Sequence, residues 1–320
     1  MTSVRHQIDH TTNSDEIAAP ISMGDYLGIE PEFSPEAIPV LSESVVNVAS
    51  VPQRSPLRYP GGKTWLVPQI RKWLAGLETR PEVFVEPFAG GGIASLTAVM
   101  DGLADRAVLC EIDPDIAQLW SCIIDYPERM AQLVEVFEAT HENVQAVLSD
   151  TDDDAVNTAF KTLLRNRISR GGILAKGASV MKQGENGSGL GSRWYPRTLA
   201  ARIRAIGSYA DRLDFIQGDG MRLIDLSKDS PTAAFFIDPP YTAAGKRAGR
   251  RLYNHNEIDH EDLFKRMATV KGPFMMTYDE SDEIIQMARG HGFNLAKVPM
   301  KNTHHELMYE LLITSSELSA

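Results

Sequence analysis

An α/β fold is predicted for this sequence, a doubly wound sheet of seven strands carrying a mostly helical and looped insertion. Three observations predict it. From Arg54 onward, short apolar runs alternate with amphipathic segments of helical spacing. The first of these runs leads into a glycine-rich turn, Ala89-Gly90-Gly91-Gly92, and then into a helix-forming stretch. One long segment, residues 151–212, breaks the alternation and reverses the charge of its surroundings.

Taken in order, residues 1–53 mix Thr, Ser, Glu and Pro with little periodicity and hold one basic and eight acidic groups, a balance of −7. Such a segment buries too little apolar surface to offset the entropy of ordering it. A flexible acidic tail is expected, with one apolar patch, Ile38-Pro39-Val40-Leu41, able to dock. Seven strands follow at 83–85, 107–110, 214–216, 234–237, 274–277, 295–298 and 308–313. Helical spacing marks 261–270 and 281–289. Alternating strands and helices imply a parallel or mostly parallel sheet covered on both faces. Residues 54–150 and 213–320 therefore read as one domain, with 151–212 inserted into it. The insertion has helical pattern at both ends around a basic, glycine-rich loop at 171–191, long enough without an apolar period to suggest function or disorder.

The net charge of −11 speaks against a nucleic-acid partner only as a sum. Residues 101–160 hold two basic and fourteen acidic groups (−12), whereas 161–212 hold eleven basic and two acidic (+9). An acidic chain with one basic block fits a localised polyanion-binding face. No apolar stretch reaches the roughly 18 residues of a membrane helix, and no secretory leader is visible. Only Cys110 and Cys122 occur, too few for a disulfide framework or the usual zinc site, so a reduced, cytoplasmic setting is expected. His255, His260, His304 and His305 lack paired ligand spacing, and no metal is expected. The oligomeric expectation is a monomer or weak dimer.

The segment from Phe84 through Glu86-Pro87-Phe88-Ala89 to Gly90-Gly91-Gly92 reads as strand, turn and helix start. Glycines allow close backbone approach to a ligand, and the helix offers free N–H groups. Some twenty residues on, a second strand ends in Glu111-Ile112-Asp113, where a ribose diol needs an acceptor. Both features suit an adenosine-containing cofactor without choosing between a nicotinamide dinucleotide and S-adenosylmethionine. A third strand leads into Gly218-Asp219, whose carboxylate suits an adenine amino group. Upstream, Tyr59-Pro60-Gly61-Gly62-Lys63-Thr64 imitates a P-loop, but Leu57 stands where that loop needs its first glycine. A tight turn with Tyr59 for stacking and Lys63 for a carboxylate fits an amino-acid-bearing cofactor better.

The run 234–237 leads straight into Asp238-Pro239-Pro240-Tyr241. Prolines stiffen this strand end and leave their carbonyls free as acceptors. The Asp238 carboxylate and the Pro239 carbonyl together suit an exocyclic amino group such as that of adenine, gripping both hydrogens and favouring a tetrahedral, nucleophilic nitrogen. Asp238 also suits the departing proton, and Tyr241 a flipped base. Neither cysteine follows a proline, which disfavours attack on a cytosine ring carbon.

With these motifs in this order, the chain resembles the Dam-like DNA adenine N6-methyltransferases. The resemblance rests on Tyr59-Pro60-Gly61-Gly62-Lys63, the Glu86-to-Gly92 turn, Asp113, Asp219 and Asp238-Pro239-Pro240-Tyr241, and covers roughly residues 54–314. It implies a Rossmann-like methyltransferase sheet, S-adenosylmethionine as cofactor, and double-stranded DNA as partner. It also implies cofactor contacts from Tyr59, Lys63, Asp113, Asp219 and Asp238. The family's DNA-reading region is similar at Leu164-Arg165-Asn166-Arg167 with Gly171-Gly172 beyond it; after that the likeness fades. Arg165, Asn166, Arg167, Arg170, Lys176, Lys182, Arg193 and Arg197 are the DNA-contact candidates, most of them for phosphate. RNA adenine, the cytosine amino group and a non-catalytic DNA-binding role stay open as alternatives.

Overall fold

The computed structural model describes residues 37–41, 44–59, 61–151, 154–172, 174, 189–240, 258–301 and 306–318, and Ile38–Ala320 forms one compact unit. Seven strands form one sheet: β1 (Val83–Glu86), β2 (Arg106–Glu111), β3 (Leu213–Gln217), β4 (Ala233–Ile237), β5 (Phe274–Asp279), β6 (Asn294–Lys301) and β7 (Leu307–Thr314). Their order is β3-β2-β1-β4-β5-β7-β6. The first five are mutually parallel, and β7 runs antiparallel to both β5 and β6. A parallel pair needs a crossover of about a dozen residues or more. The connection from Lys301 to Leu307 is far shorter, so β6 and β7 can only fold back as a hairpin.

The central strands are apolar on both sides because both are covered. Phe84 and Phe236 enter one core, while Val85, Phe235 and Ile237 enter the other, as the two-residue period of a strand dictates. Every residue of β4 is buried. Ten α-helices cover the sheet among the described residues: α1 (Val67–Ala75), α2 (Ile93–Met100), α3 (Pro114–Asp125), α4 (Pro127–Val136), α5 (His141–Ser149), α6 (Ala155–Ile168), α7 (Pro196–Gly207), α8 (Gly220–Ser227), α9 (His260–Met267) and α10 (Asp282–Gly290). Asp113, Asp154, Asp219, Asp259 and Ser281 start α3, α6, α8, α9 and α10 by accepting a backbone N–H from the first turn.

The two helices of the 151–212 segment bury Leu163, Leu164, Ile168, Leu199 and Ile203 in the same core that holds Trp120 and Met130 of α3 and α4. Of the basic loop, residues 173 and 175–188 lie outside the described residues. The end of the expected tail packs against the sheet. The Val40 segment forms a parallel bridge with Lys297, whose N–H donates to the Pro39 carbonyl (2.8 Å) while Leu41 N–H donates to the Lys297 carbonyl (2.9 Å). Val51 is buried with Val67 and Ile93. The apolar patch thus docks on the sheet's edge strand, where unpaired backbone groups await partners. No helix among the described residues is long and apolar enough to cross a membrane.

Candidate functional site

β1 and β4 are neighbours, yet the chain leaves β1 toward β2 and leaves β4 toward β5. Where the winding reverses, the connections part and a crevice opens at the strands' carboxyl ends. A cavity of about 390 Å³ lies there, within the range of small-molecule sites. Glu86 ends β1, Glu111 ends β2, and Asp238 follows β4, so three strand ends each deliver a carboxylate to the cavity.

The turn after β1 forms the cavity's floor. Gly90 and Gly92 have φ of 47° and 62°, a region that side chains resist. A Cβ at Gly90 would stand 2.5 Å from the Tyr59 ring, and one at Gly92 would stand 2.8 Å from Trp120. The Trp120 indole N–H donates to the Gly90 carbonyl at 2.8 Å and pins the turn from below. Pro87 and Phe88 line the same cavity, as do Gly61 and Gly62. Pro60 and Tyr241 lie outside the described residues; Pro239 and Pro240 line the cavity beside Asp238.

Glu86 is buried and accepts the Ser95 backbone N–H at 2.8 Å. Burial pushes its carboxyl up to about 8, against the pull of the Ser95 hydrogen bonds. Glu111 is also raised by burial, while holding the N–H groups of Gly90 (3.1 Å), Ile112 (2.9 Å) and Asp113 (3.1 Å). Asp219 lines the cavity and caps α8 through the Met221 N–H. Asp113 is placed differently: its carboxylate caps α3, accepting from Asp115 and Ile116, and it is not among the cavity's lining residues. Glu111, two residues earlier on the same strand end, stands in the cavity instead.

Lys63 is 2% exposed, and its ammonium meets three acceptors. The Gly61 carbonyl lies at 2.9 Å, Asp238 Oδ1 at 2.8 Å and Glu310 Oε1 at 3.2 Å. An ammonium has three donors, so a cofactor carboxylate, the partner expected for Lys63, would have to displace one of these. Burial alone would lower this lysine's pKa; the carboxylates of Asp238 and Glu310 outweigh it and raise it. Asp238 Oδ1 receives a second donor, the Thr277 hydroxyl of β5 at 2.8 Å. Thr277 and Glu310 carried no signal in the sequence, since each sits in a strand that reads as core.

The basic candidates separate by burial. Arg165, Arg170 and Arg197 are exposed, and Arg193 is half-buried. Asn166 is wholly buried, and its amide donates to the carbonyls of Arg58 (2.7 Å) and Gly172 (2.8 Å) while accepting the Arg58 N–H (2.8 Å). Arg167 is 5% exposed and donates to the Arg193 carbonyl from two nitrogens, at 3.1 and 2.9 Å. Burial, with Arg58, Arg202 and Arg193 nearby, lowers its pKa to about 10. Expected as DNA contacts, Asn166 and Arg167 instead spend their polar groups on the backbone that carries Arg58 and Arg193. Lys176 and Lys182 lie outside the described residues.

A family model for the D12 class N6 adenine-specific DNA methyltransferases matches residues 59–301. No curated protein matches the chain. Among solved structures, it is similar to an rRNA methyltransferase from Streptomyces viridochromogenes at 13% identity, covering 80% of this chain and 86% of that one with a TM-score of 0.39. It is also similar to a precorrin-6Y C5,15-methyltransferase from Geobacter metallireducens at 11% identity, covering 78% and 87% with a TM-score of 0.34.

Proposed function

The chain belongs to the D12 class N6 adenine-specific DNA methyltransferase family, and from that membership we propose that it methylates the N6 amino group of a flipped adenine in double-stranded DNA, site-specifically, with S-adenosylmethionine as cofactor. The observation that carries the reading is the placement of Asp238-Pro239-Pro240 in one cavity with the Glu86-to-Gly92 turn, Glu111 and Asp219.

The residues present fit that cofactor. Six acidic side chains, Glu86, Glu111, Asp219, Asp238, Asp259 and Asp262, line a space of about 390 Å³ together with Lys63 and Arg266. This acidic excess suits a ligand bearing a sulfonium and an ammonium. The Tyr59 ring lies against Gly90 and Gly91, making a flat wall for an aromatic or sulfur-bearing group. Glu111 is the ribose acceptor in this reading and Asp219 the adenine acceptor. When bound, the cofactor supplies the methyl group. Everything else falls to the chain. Asp238 and the Pro239 carbonyl accept the two amino hydrogens, turning the lone pair away from the ring. Lys63 and Thr277 hold Oδ1 of Asp238 fixed, so the acceptor is already oriented before the base arrives. As the amino nitrogen gains its new bond, its surplus proton passes toward the Asp238 carboxylate. The exposed Arg165, Arg170 and Arg197, with Arg193, are proposed to hold the duplex by its phosphates.

The test is transfer of labelled methyl from S-adenosylmethionine to mixed-sequence DNA, followed by digestion to nucleosides. N6-methyladenine at one short recurring site is the expected product. Label appearing in N4-methylcytosine, or only when RNA is supplied, would replace the adenine-in-DNA reading.

A further inference from the structure

Glu310 is announced by no motif. It stands on β7, beyond the matched residues 59–301, with a side chain 5% exposed. It opens the buried half of the strand, followed by Leu311, Leu312 and Ile313, and a carboxylate buried there is costly unless something compensates it. The compensation is Lys63, 3.2 Å away. The same ammonium lies 2.8 Å from Asp238, so one cation serves two anions. The strands fix this arrangement. β5 and β7 pair with Asp279 opposite Glu310 and Thr277 opposite Leu312, and Thr277 itself donates to Asp238 Oδ1. Asp238 is therefore gripped twice from one pair of strands, directly by Thr277 and through Lys63 by Glu310.

Charge explains why a second carboxylate is useful. Lys63 paired with Asp238 alone would make a neutral pair and weaken Asp238 as an acceptor for the amino hydrogens. Dividing the ammonium between two carboxylates leaves the cluster with one negative charge in excess. We propose that Glu310 is a positioning residue for the methyl-transfer site, acting through Lys63 to hold Asp238 in place and to keep it a strong acceptor. This rests on the function proposed above. Among the described residues, the titratable groups whose charges act on this cluster include Glu86 at the end of β1 and Tyr278 and Asp279 on β5, beside the ion pairs of Lys63 with Asp238 and Glu310.

The test compares the full-length protein with Glu310→Gln, which keeps the shape and removes the charge, and Glu310→Asp, which keeps the charge and withdraws it. In DNA methyl transfer, kcat for Glu310→Gln is expected to fall about tenfold or more while KM for S-adenosylmethionine stays within about twofold, with Glu310→Asp between. On a Lys63→Met background, Glu310→Gln should cost nothing further, because a residue acting through another is not additive with it. A readout free of substrate accompanies this: in protein with ¹⁵N-labelled lysine, the Lys63 ammonium should give a slowly exchanging signal that speeds up at least about tenfold in Glu310→Gln. Unchanged kcat in a folded Glu310→Gln protein overturns the proposal, as does an ammonium signal indifferent to the substitution. Were the unsubstituted protein to methylate no DNA, the function proposed above would fall, while the ammonium signal would still decide whether Glu310 holds Lys63.

Discussion

In the proposed reaction Asp238 is the acceptor on which the chemistry turns, and its surroundings say how its loss should look. Asp238→Ala removes the acceptor but leaves Lys63 paired with Glu310, so no buried cation is stranded. Activity is expected to fall by about 10²–10⁴-fold or more with folding intact, as removal of a positioned proton acceptor does. Single-turnover methyl transfer, beside calorimetric titration of the cofactor, checks it. Glu86 makes a separate prediction through pH. Its carboxyl is raised to about 8 in the folded protein from an ordinary value of 4.5, so between these values the folded state binds the extra proton. Stability contributed by the protonated form is complete below about pH 4.5 and is lost as pH rises toward 8. Glu86→Gln, whose side-chain carbonyl still accepts the Ser95 N–H, should therefore be more stable than the parent by an amount that grows from pH 5 to 8, reaching a few kcal/mol at most. Melting temperatures of the cofactor-free proteins across that range test the sign. A gain that shrinks with pH would refute it.

At the scale of elements, α6 has a role that its sequence disguises. Leu164-Arg165-Asn166-Arg167 reads as a basic, DNA-facing run, yet Asn166 and Arg167 point inward, and only Arg165 is exposed. Through Asn166, α6 clamps the backbone of Arg58, next to Tyr59, whose ring covers the glycine turn. Asn166→Ala would strand the Arg58 N–H and two carbonyls, so a loss of about 1–3 kcal/mol of stability is expected, with weaker cofactor binding because the Tyr59 segment loosens. Chemical denaturation and calorimetry would measure the two effects, and a stability loss without one in affinity would show that the clamp serves only the fold. The strands, by contrast, were legible because burial on both faces leaves continuous apolar runs, and each observed strand contains its expected segment. The glycine turn and Asp238 were legible because backbone strain and proline chemistry mark them locally. Glu111 and Asp113 both stood in the expected strand end, and nothing local told that Glu111 lines the cavity while Asp113 caps the next helix. Thr277 and Glu310 were invisible for a deeper reason. Thr277 meets Asp238 only through the pairing of β4 with β5. Lys63, the partner of Glu310, is more than two hundred residues away along the chain and is reached only by the antiparallel return of β7.

Across the whole molecule, charge is segregated rather than scarce. A chain of net charge −11 repels a duplex at long range, so on the proposed function association depends on the exposed arginines of the basic segment and on salt more than a uniformly charged protein would. Each phosphate neutralised contributes a slope of about −0.9 to the dependence of log K on log salt. Removing two exposed arginines, Arg165→Ala with Arg197→Ala, should therefore flatten that slope by nearly 2 units and weaken binding to every sequence alike. Arg167 carries the same formal charge but sits inside, donating to the Arg193 carbonyl. Arg167→Ala should leave the slope unchanged and appear instead as a loss of about 1–3 kcal/mol in stability, because buried acceptors lose a charged donor. Fluorescence-anisotropy titrations of a labelled duplex between low and moderate salt, run beside thermal melts, separate the two classes. If Arg167→Ala flattened the slope as much as either exposed substitution, its guanidinium would have to turn outward on binding, and the division of this basic block into a buried frame and an exposed contact face would be wrong.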